Sequence, residues 1–321
     1  MVTPPRAPRV DPPRAWRGGG DSAVAPLTGT ALTVDGVPVA VVHYRPARAA
    51  ELPAPDGGLA FVVVHGFAGS WRRRAVRRVL RRFAAYGGVV GVDLRGHGGS
   101  AGLSTLGRLE QHDVDAAVRW ARGLGYDRVV TVGFSLGSAV VVRHAALYGG
   151  VAATVLVSGP AFWYYRGTPV MRRLHRAVDS AAARVVMRAW LGARLDRPPW
   201  PQPAPMAPVE AAGRLAPLPV LVVGGDADPF FPVEHPLALA EAAYDGAAAY
   251  GDGAGDVQLW IEPGLGHAEA AMSGRLLDRI GAWSVTAAAA GPSATATPSA
   301  TATPPATATP SVTTAPIGDR S

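Results

Sequence analysis

The five residues Gly133-Phe134-Ser135-Leu136-Gly137 set a hydroxyl between two glycines, each two positions away. They follow the apolar run Val129-Val130-Thr131-Val132 and lead into an amphipathic stretch beginning at Ser138, which reads as strand, sharp turn, helix. Such a turn holds its serine in a cramped backbone conformation, so glycine is needed where side chains would collide. The chemistry this suggests is nucleophilic attack by the Ser135 hydroxyl. A free hydroxyl is a weak nucleophile at neutral pH, and the reading therefore requires a base within hydrogen-bond reach and an acid to orient that base.

On an elbow of this kind the partners follow in the order serine, acid, histidine, and only His144, His175, His235 and His267 come after Ser135. His144 falls in the helix leaving the elbow and His175 in an inserted segment. His267 follows the β-rich run 257–261 in the glycine-flanked loop Pro263-Gly264-Leu265-Gly266-His267, and it is the expected base, with a buried structural histidine as the alternative. The acid should end the preceding strand, where Val220-Leu221-Val222-Val223 runs into Gly224-Gly225-Asp226-Ala227-Asp228-Pro229. Two carboxylates compete there. Asp228 directly precedes a proline that fixes the turn, whereas Asp226 is more easily explained as a turn-former bonding its own backbone, so Asp228 is the expected acid. His235 stands too few residues beyond Asp228 to return over the serine and is read as a helix cap.

Acyl chemistry also needs donors aimed at the oxyanion of a tetrahedral intermediate. One is the backbone N–H of Leu136, directly after the serine. The other is expected from the loop His65-Gly66-Phe67-Ala68-Gly69-Ser70, with Phe67 N–H as the candidate and His65 bracing the loop.

These residues need a scaffold, and the chain alternates β-rich runs with helical patterns as a largely parallel sheet requires. Residues 31–44 read as an opening hairpin around Asp35-Gly36. Strands are expected at 59–65, 89–93, 129–134, 153–158, 219–223 and 257–261, several of them continuous Val and Leu runs of the kind buried on both faces. Helices are expected at 72–86, 107–123, 137–149, 234–244 and 273–285. In such an open α/β sheet the functional groups gather beyond the carboxyl ends of the strands, which is where the residues singled out above lie. Between Gly159 and Leu215 no strand is expected. That stretch offers helices at 169–180 and 181–191 and a proline-rich run at 198–208, and it reads as a helical cap. Its aromatics, Phe162, Trp163, Tyr164, Tyr165, Trp190 and Trp200, either line a substrate pocket or pack the cap onto the body.

With 321 residues, 48% of them apolar, the chain can bury one large core. The expected organisation is a core at 27–158 and 216–286, a cap at 159–215, and disordered ends at 1–26, rich in Pro, Arg and Gly, and at 287–321, rich in Ala, Thr and Pro. With no cysteine, disulfides, thiolate metal sites and a cysteine nucleophile are excluded together. The longest apolar stretches fall short of the roughly 20 residues of a membrane span, and with no apolar export segment at the N-terminus a cytoplasmic location is expected. The net charge of +7 comes entirely from arginine, with no lysine or asparagine in the chain, a bias read as a GC-rich coding sequence. The densest basic run, residues 71–83, places Val76, Val79, Leu80 and Phe83 on one helical stripe and its arginines opposite. The run reads as a solvated outer helix packed on a sheet, with an anion-, membrane- or nucleic-acid-binding surface as the alternative, and no nucleic-acid partner is expected.

Taken in order, His65-Gly66-Phe67-Ala68-Gly69-Ser70, Asp93-Leu94-Arg95-Gly96-His97-Gly98-Gly99-Ser100, Gly133-Phe134-Ser135-Leu136-Gly137, and Gly225-Asp226-Ala227-Asp228-Pro229-Phe230-Phe231-Pro232 with Gly264-Leu265-Gly266-His267 resemble the motifs of the α/β-hydrolase superfamily. The resemblance covers about residues 31 to 285 and is loosest through the cap. It implies an α/β-hydrolase fold, a mostly parallel central sheet flanked by helices with a helical cap insertion. It also implies Ser135 as nucleophile, Asp228 as acid, His267 as base, and Phe67 and Leu136 as oxyanion donors. The second motif is implied to be structural. The resemblance implies a carboxylesterase-like serine hydrolase acting on a small acylated molecule without metal or organic cofactor. Thioesterase, lipase-like and peptidase activities use the same three residues. A non-catalytic ligand-binding module on the same fold is the alternative from another class.

Overall fold

An unbroken apolar run such as Leu59–Val64 cannot lie at a surface, so it must become a strand covered on both faces. A computed structural model describes residues 14–15, 25–47, 58–196 and 204–290 of the chain and places it so. Most of the two ends expected to be disordered, and Trp200 with part of the proline-rich run, lie outside the described residues.

Among the described residues nine strands form one sheet: β1 (Arg14–Ala15), β2 (Leu27–Leu32), β3 (Pro38–Tyr44), β4 (Leu59–Val64), β5 (Gly88–Val92), β6 (Arg128–Phe134), β7 (Ala153–Val157), β8 (Val220–Gly225) and β9 (Val257–Glu262). Their order is β1-β2-β3-β5-β4-β6-β7-β8-β9. The expected hairpin is the antiparallel pair β2 and β3, and β3 joins β5 antiparallel; from β5 to β9 every pairing is parallel. The sheet is therefore mostly parallel, with an antiparallel edge.

Alternation along β4 splits the core in two. Val62 and Val64 pack with Val114, Val140 and Leu239, whereas Phe61 and Val63 pack with Val79, Leu80 and Leu277 on the other side. The helices supplying these partners are α2 (Gln111–Gly123), α3 (Leu136–Tyr148) and α7 (Glu234–Tyr250) on the first face, and α1 (Arg74–Phe83) and α9 (Gly274–Ala290) on the second. As expected, α1 buries Val76, Val79, Leu80 and Phe83, each contributing about 1.5–3 kcal/mol of transfer free energy. Its arginines face outward, and two of them reach across to α9 and its approach: Arg82 pairs with Asp278, and Arg78 donates to the carbonyls of Glu269 and Met272.

Several boundaries differ from expectation: α1 is shorter than residues 72–86, and α7 runs past residue 244 to Tyr250. Helix α2 starts at Gln111, not near residue 107, because the buried Glu110 carboxylate takes the N–H groups of Thr105, Gly107 and Leu109 and folds the preceding residues into a turn. Helix α9 continues to Ala290, so residues 287–290, expected to open the disordered tail, are helical and bury Ala287 and Ala288, since an alanine run favours helix as long as it has a surface to cover. Within the insertion, α4 (Pro169–Asp179) and α5 (Ala181–Val186) appear, the latter widening into a π-helical turn at Met187–Leu191 that ends at Gly192. A further short helix, α6 (Pro208–Ala212), begins on a proline, which is tolerated in a first turn where its missing N–H has no role. A last short helix, α8 (Ala268–Ala271), follows His267.

Candidate active site

Strand register brings the site together. Val64 of β4 lies opposite Gly133 of β6, so the loops leaving these neighbouring parallel strands emerge side by side. Ser135, two residues after Gly133, sits at φ 53°, ψ −118°, a left-handed conformation that costs a serine about 1–3 kcal/mol. Packing holds it there. A Cβ on Gly137 would stand 2.3 Å from the carbonyl oxygen of Val64, and one on Gly133 would stand 2.3 Å from that of Gly137. The two glycines are thus required by close backbone contact, while the Ser135 N–H is tied to Val157 O at 2.9 Å.

The strand ends of β8 and β9 deliver the other expected residues. His267 Nε2 lies 2.9 Å from Ser135 Oγ, and His267 Nδ1 lies 2.8 Å from Asp228 Oδ2 and 3.0 Å from Oδ1. Asp228 Oδ1 also accepts the N–H groups of Phe230 at 2.8 Å and Phe231 at 3.1 Å. Burial pushes the Asp228 carboxyl up, but the hydrogen bond and charge of His267 and these two N–H groups outweigh it, so its pKa is held below the ordinary carboxylate value. The Phe230 ring stacks on the imidazole, centroids 4.2 Å apart, and fixes its plane. Asp226 does not reach the histidine ring. It is exposed, and instead of bonding its own turn it accepts Gly264 N–H at 2.6 Å across the neighbouring loop, bracing the segment that carries His267.

The loop after β4 is tied down atom by atom. His65 accepts Leu94 N–H at Nε2 (3.1 Å), so its Nδ1 carries the proton and donates to Gly66 O at 2.7 Å. His97 repeats this arrangement, accepting Ala68 N–H at 3.1 Å and donating to Arg95 O at 3.0 Å. Burial lowers the pKa of both to about 4 and keeps them neutral. Gly69 N–H donates to Gly66 O, and Gly66 N–H donates to Glu269 Oε1 at 2.8 Å. Within residues 66–69 this leaves the N–H of Phe67 without a protein acceptor among the described residues, and the N–H of Leu136 at the start of α3 is likewise unengaged. A Cβ on Gly66 would lie 3.1 Å from Ser135 Cβ, which shows how closely the loop approaches the serine.

The remaining histidines have other places. His144 is buried on α3, stacked on Tyr148. His235 is fully buried, but rather than capping α7 it accepts Ala161 N–H at 3.0 Å with Nδ1, pinning the start of the insertion. His175 faces the cavity described next without bonding to Ser135. Glu269 had no sequence signal: its partner Gly66 is 203 positions away.

A cavity of about 670 Å3 opens over Ser135 and His267, roofed by Phe162, Trp163, Tyr164 and Tyr165 from the insertion, with Met171 and Leu174 behind them. Four of the six expected aromatics therefore line it. Trp190 does not, and Trp200 lies outside the described residues. Burial, aided by Arg166, holds the His175 pKa below its ordinary value at the wall of this space. Among the described residues, no group of three or more His, Asp or Glu side chains is gathered to hold a metal ion, and no helix is long and apolar enough to cross a membrane.

Comparisons with solved structures find the same fold. The esterase Pf2001 of Pyrococcus furiosus superposes with a TM-score of 0.61 at 17% identity, covering 84% of this chain and 98% of that one. Est1E from Butyrivibrio proteoclasticus, solved with ferulic acid bound, gives 0.53 at 19% identity over 80% and 96%. The esterase RhEst1 from Rhodococcus sp. ECU1013 gives 0.56 at 20% identity over 80% and 98%. At such identities the likeness is one of fold. No curated protein matches the sequence. The family model described as "Alpha/beta hydrolase family" matches residues 61–309, well over half of the sequence, and the chain belongs to that family.

Proposed function

We propose that the protein is a serine hydrolase that cleaves an ester or related acyl bond through a covalent acyl-serine, with carboxylesterase-like activity as the leading reading. The observation that carries it is the unbroken line Ser135 Oγ, His267 Nε2, His267 Nδ1, Asp228 Oδ2, with bonds of 2.9 and 2.8 Å at its two ends. In this reading His267 removes the Ser135 proton as Oγ bonds to the acyl carbon, and Asp228 holds the ring in the Nδ1–H tautomer and stabilises the imidazolium. The oxygen of the tetrahedral intermediate takes the N–H groups of Phe67 and Leu136, the two left unengaged beside Oγ. His267 returns the proton to the leaving group, and water, deprotonated by the same ring, releases the acid. The chain supplies every group required. The aromatic roof supports an apolar acyl or aryl group next to the scissile bond.

The test is labelling with a fluorophosphonate probe, which phosphonylates an activated serine. Labelling of the folded protein at Ser135, absent in Ser135→Ala, is expected. A folded protein that stays unlabelled would favour a ligand-binding module.

A further inference from the structure

A second cavity, of about 520 Å3, adjoins the first, with Leu191 lining both. Its walls carry Arg72, Arg73, Arg188 and Arg194, with Trp190 beside them. Arg72 is neutralised by Asp93 at 2.6 Å. Among the described residues the partners of the other three are carbonyl groups. Arg73 donates to Leu191 O at 3.1 Å, Arg194 donates to Ser100 O, and among the described residues none of Arg73, Arg188 and Arg194 has a carboxylate within ion-pair distance. Carbonyl oxygens leave the full charge on a guanidinium. Three like charges around one cavity repel, and a multiply charged anion would reverse the sign of that interaction. The planar fork of arginine matches phosphate oxygens two at a time. Trp190 is 82% exposed, an unusual setting for so large an apolar ring, and offers a free face on which a flat heterocycle can stack.

We propose that this cavity holds the phosphate groups of a nucleotide-type carrier whose acyl group reaches Ser135 through the adjoining cavity. The substrate class is then an acyl thioester of a phosphorylated carrier rather than an ester of a neutral alcohol. The proposal rests on the acyl-transfer reading for its chemistry and on the arginines for its carrier. Ser135 Oγ bonds to the acyl carbon as the carbon–sulfur bond breaks, the thiolate takes the proton from His267, and water hydrolyses the acyl-serine to the free acid.

The experiment compares butyryl-coenzyme A with the butyryl thioester of N-acetylcysteamine, which has the same reacting bond but neither phosphate nor adenine. 4-Nitrophenyl butyrate serves as a third substrate. The full chain should favour the coenzyme A thioester by at least ~tenfold in kcat/KM, carried by KM and weakening with added salt. In Arg73→Ala/Arg188→Ala the preference should fall to near unity while the nitrophenyl ester is cleaved as before. Equal kcat/KM for the two thioesters, or a preference that survives in the variant, overturns the proposal. Arg188→Ala alone guards against a folding defect and should remove part of the preference. If no substrate is cleaved, the acyl-transfer reading fails, and calorimetry of coenzyme A with Ser135→Ala protein judges the cavity separately. Binding lost on adding Arg188→Ala upholds the anion site, and absence of binding overturns it.

Discussion

Replacing Asp228 by Asn keeps the shape of the side chain and turns one oxygen into NH2. Oδ1 accepts the N–H groups of Phe230 and Phe231, so the amide must keep its carbonyl oxygen there. Its NH2 then occupies the place of Oδ2, 2.8 Å from His267 Nδ1. The carbonyl oxygen, 3.0 Å from Nδ1, is already shared by two N–H groups, and the NH2 lies closer to the ring, so the imidazole is driven to move its Nδ1 proton to Nε2, 2.9 Å from Ser135 Oγ. The ring then offers an N–H to the hydroxyl it should deprotonate, and the carboxylate that would stabilise the imidazolium is gone. Such a tautomer inversion costs about ten-thousand-fold in kcat, about 5 kcal/mol of barrier. Initial rates on 4-nitrophenyl butyrate, with circular dichroism to establish folding, measure it. Asp226→Asn is the control. Its carbonyl can still accept Gly264 N–H from an exposed position, and the rate should stay within about threefold. A folded Asp228→Asn within about tenfold of the parent would refute the tautomer argument, and the reverse ranking of the two variants would transfer the acid's role to Asp226.

Further outcomes follow from the groups around the serine. Glu269→Ala strips the acceptor from Gly66 N–H and should lower kcat about tenfold or more by loosening the loop that carries Phe67, whereas Glu269→Gln keeps an acceptor and should nearly preserve the rate. Burial already holds the Glu269 carboxyl above its ordinary value, opposed by the Gly66 N–H, which makes the neutral amide a close stand-in; an unimpaired alanine variant would show that the loop holds itself. Ser135→Gly should abolish activity yet stabilise the fold by about 1 kcal/mol, a rise of a few degrees in Tm, because glycine occupies φ 53° without strain; a lower Tm would contradict this. His43, His65, His97 and His144 are each lowered by burial from 6.5 to about 4, so unfolding takes up protons below pH 6.5. Their contribution is full above pH 6.5 and is lost as pH falls toward 4, each by roughly 1.4 kcal/mol per pH unit, and a Tm that stays flat from pH 7.5 to 5 would show them charged in the native state.

The scaffold was legible because its signals are local. Uninterrupted Val and Leu runs admit one structure in water, and glycines flanking Ser135 admit one kind of turn. The long strand separation between Ser135, Asp228 and His267 did not hide them, since parallel strands bring all their carboxyl ends to one edge whatever lies between. What the sequence did not disclose is long-range and polar. Nothing near Glu269 announces a partner at Gly66, and nothing near His235 announces Ala161, because a backbone N–H has no sequence identity to match. The preference for Asp228 rested on Asp226 bonding its own turn, yet it is Asp228 that accepts the N–H groups two and three residues on, while Asp226 holds Gly264, a use that depends on how two loops meet.

The same distinction explains how Phe67 N–H comes to be free. A loop at the mouth of a site must leave one donor unpaired while satisfying its neighbours, since each buried orphan costs about 1–3 kcal/mol. Here His65, His97 and Glu269 each engage one neighbouring backbone atom, at Gly66 O, Ala68 N and Gly66 N, and the residue between them is left exposed to the cavity. Neutral imidazoles suit this work because a charged ring would donate at both nitrogens and could not accept Ala68 N–H. Protonating His97 would therefore break a bond of the loop directly, so in acid the loop should loosen before the fold gives way. Faster hydrogen exchange of the Ala68 amide at a pH above that where the far-ultraviolet circular dichroism is lost would bear this out, and coincident changes would mean that the loop and the sheet unfold as one unit.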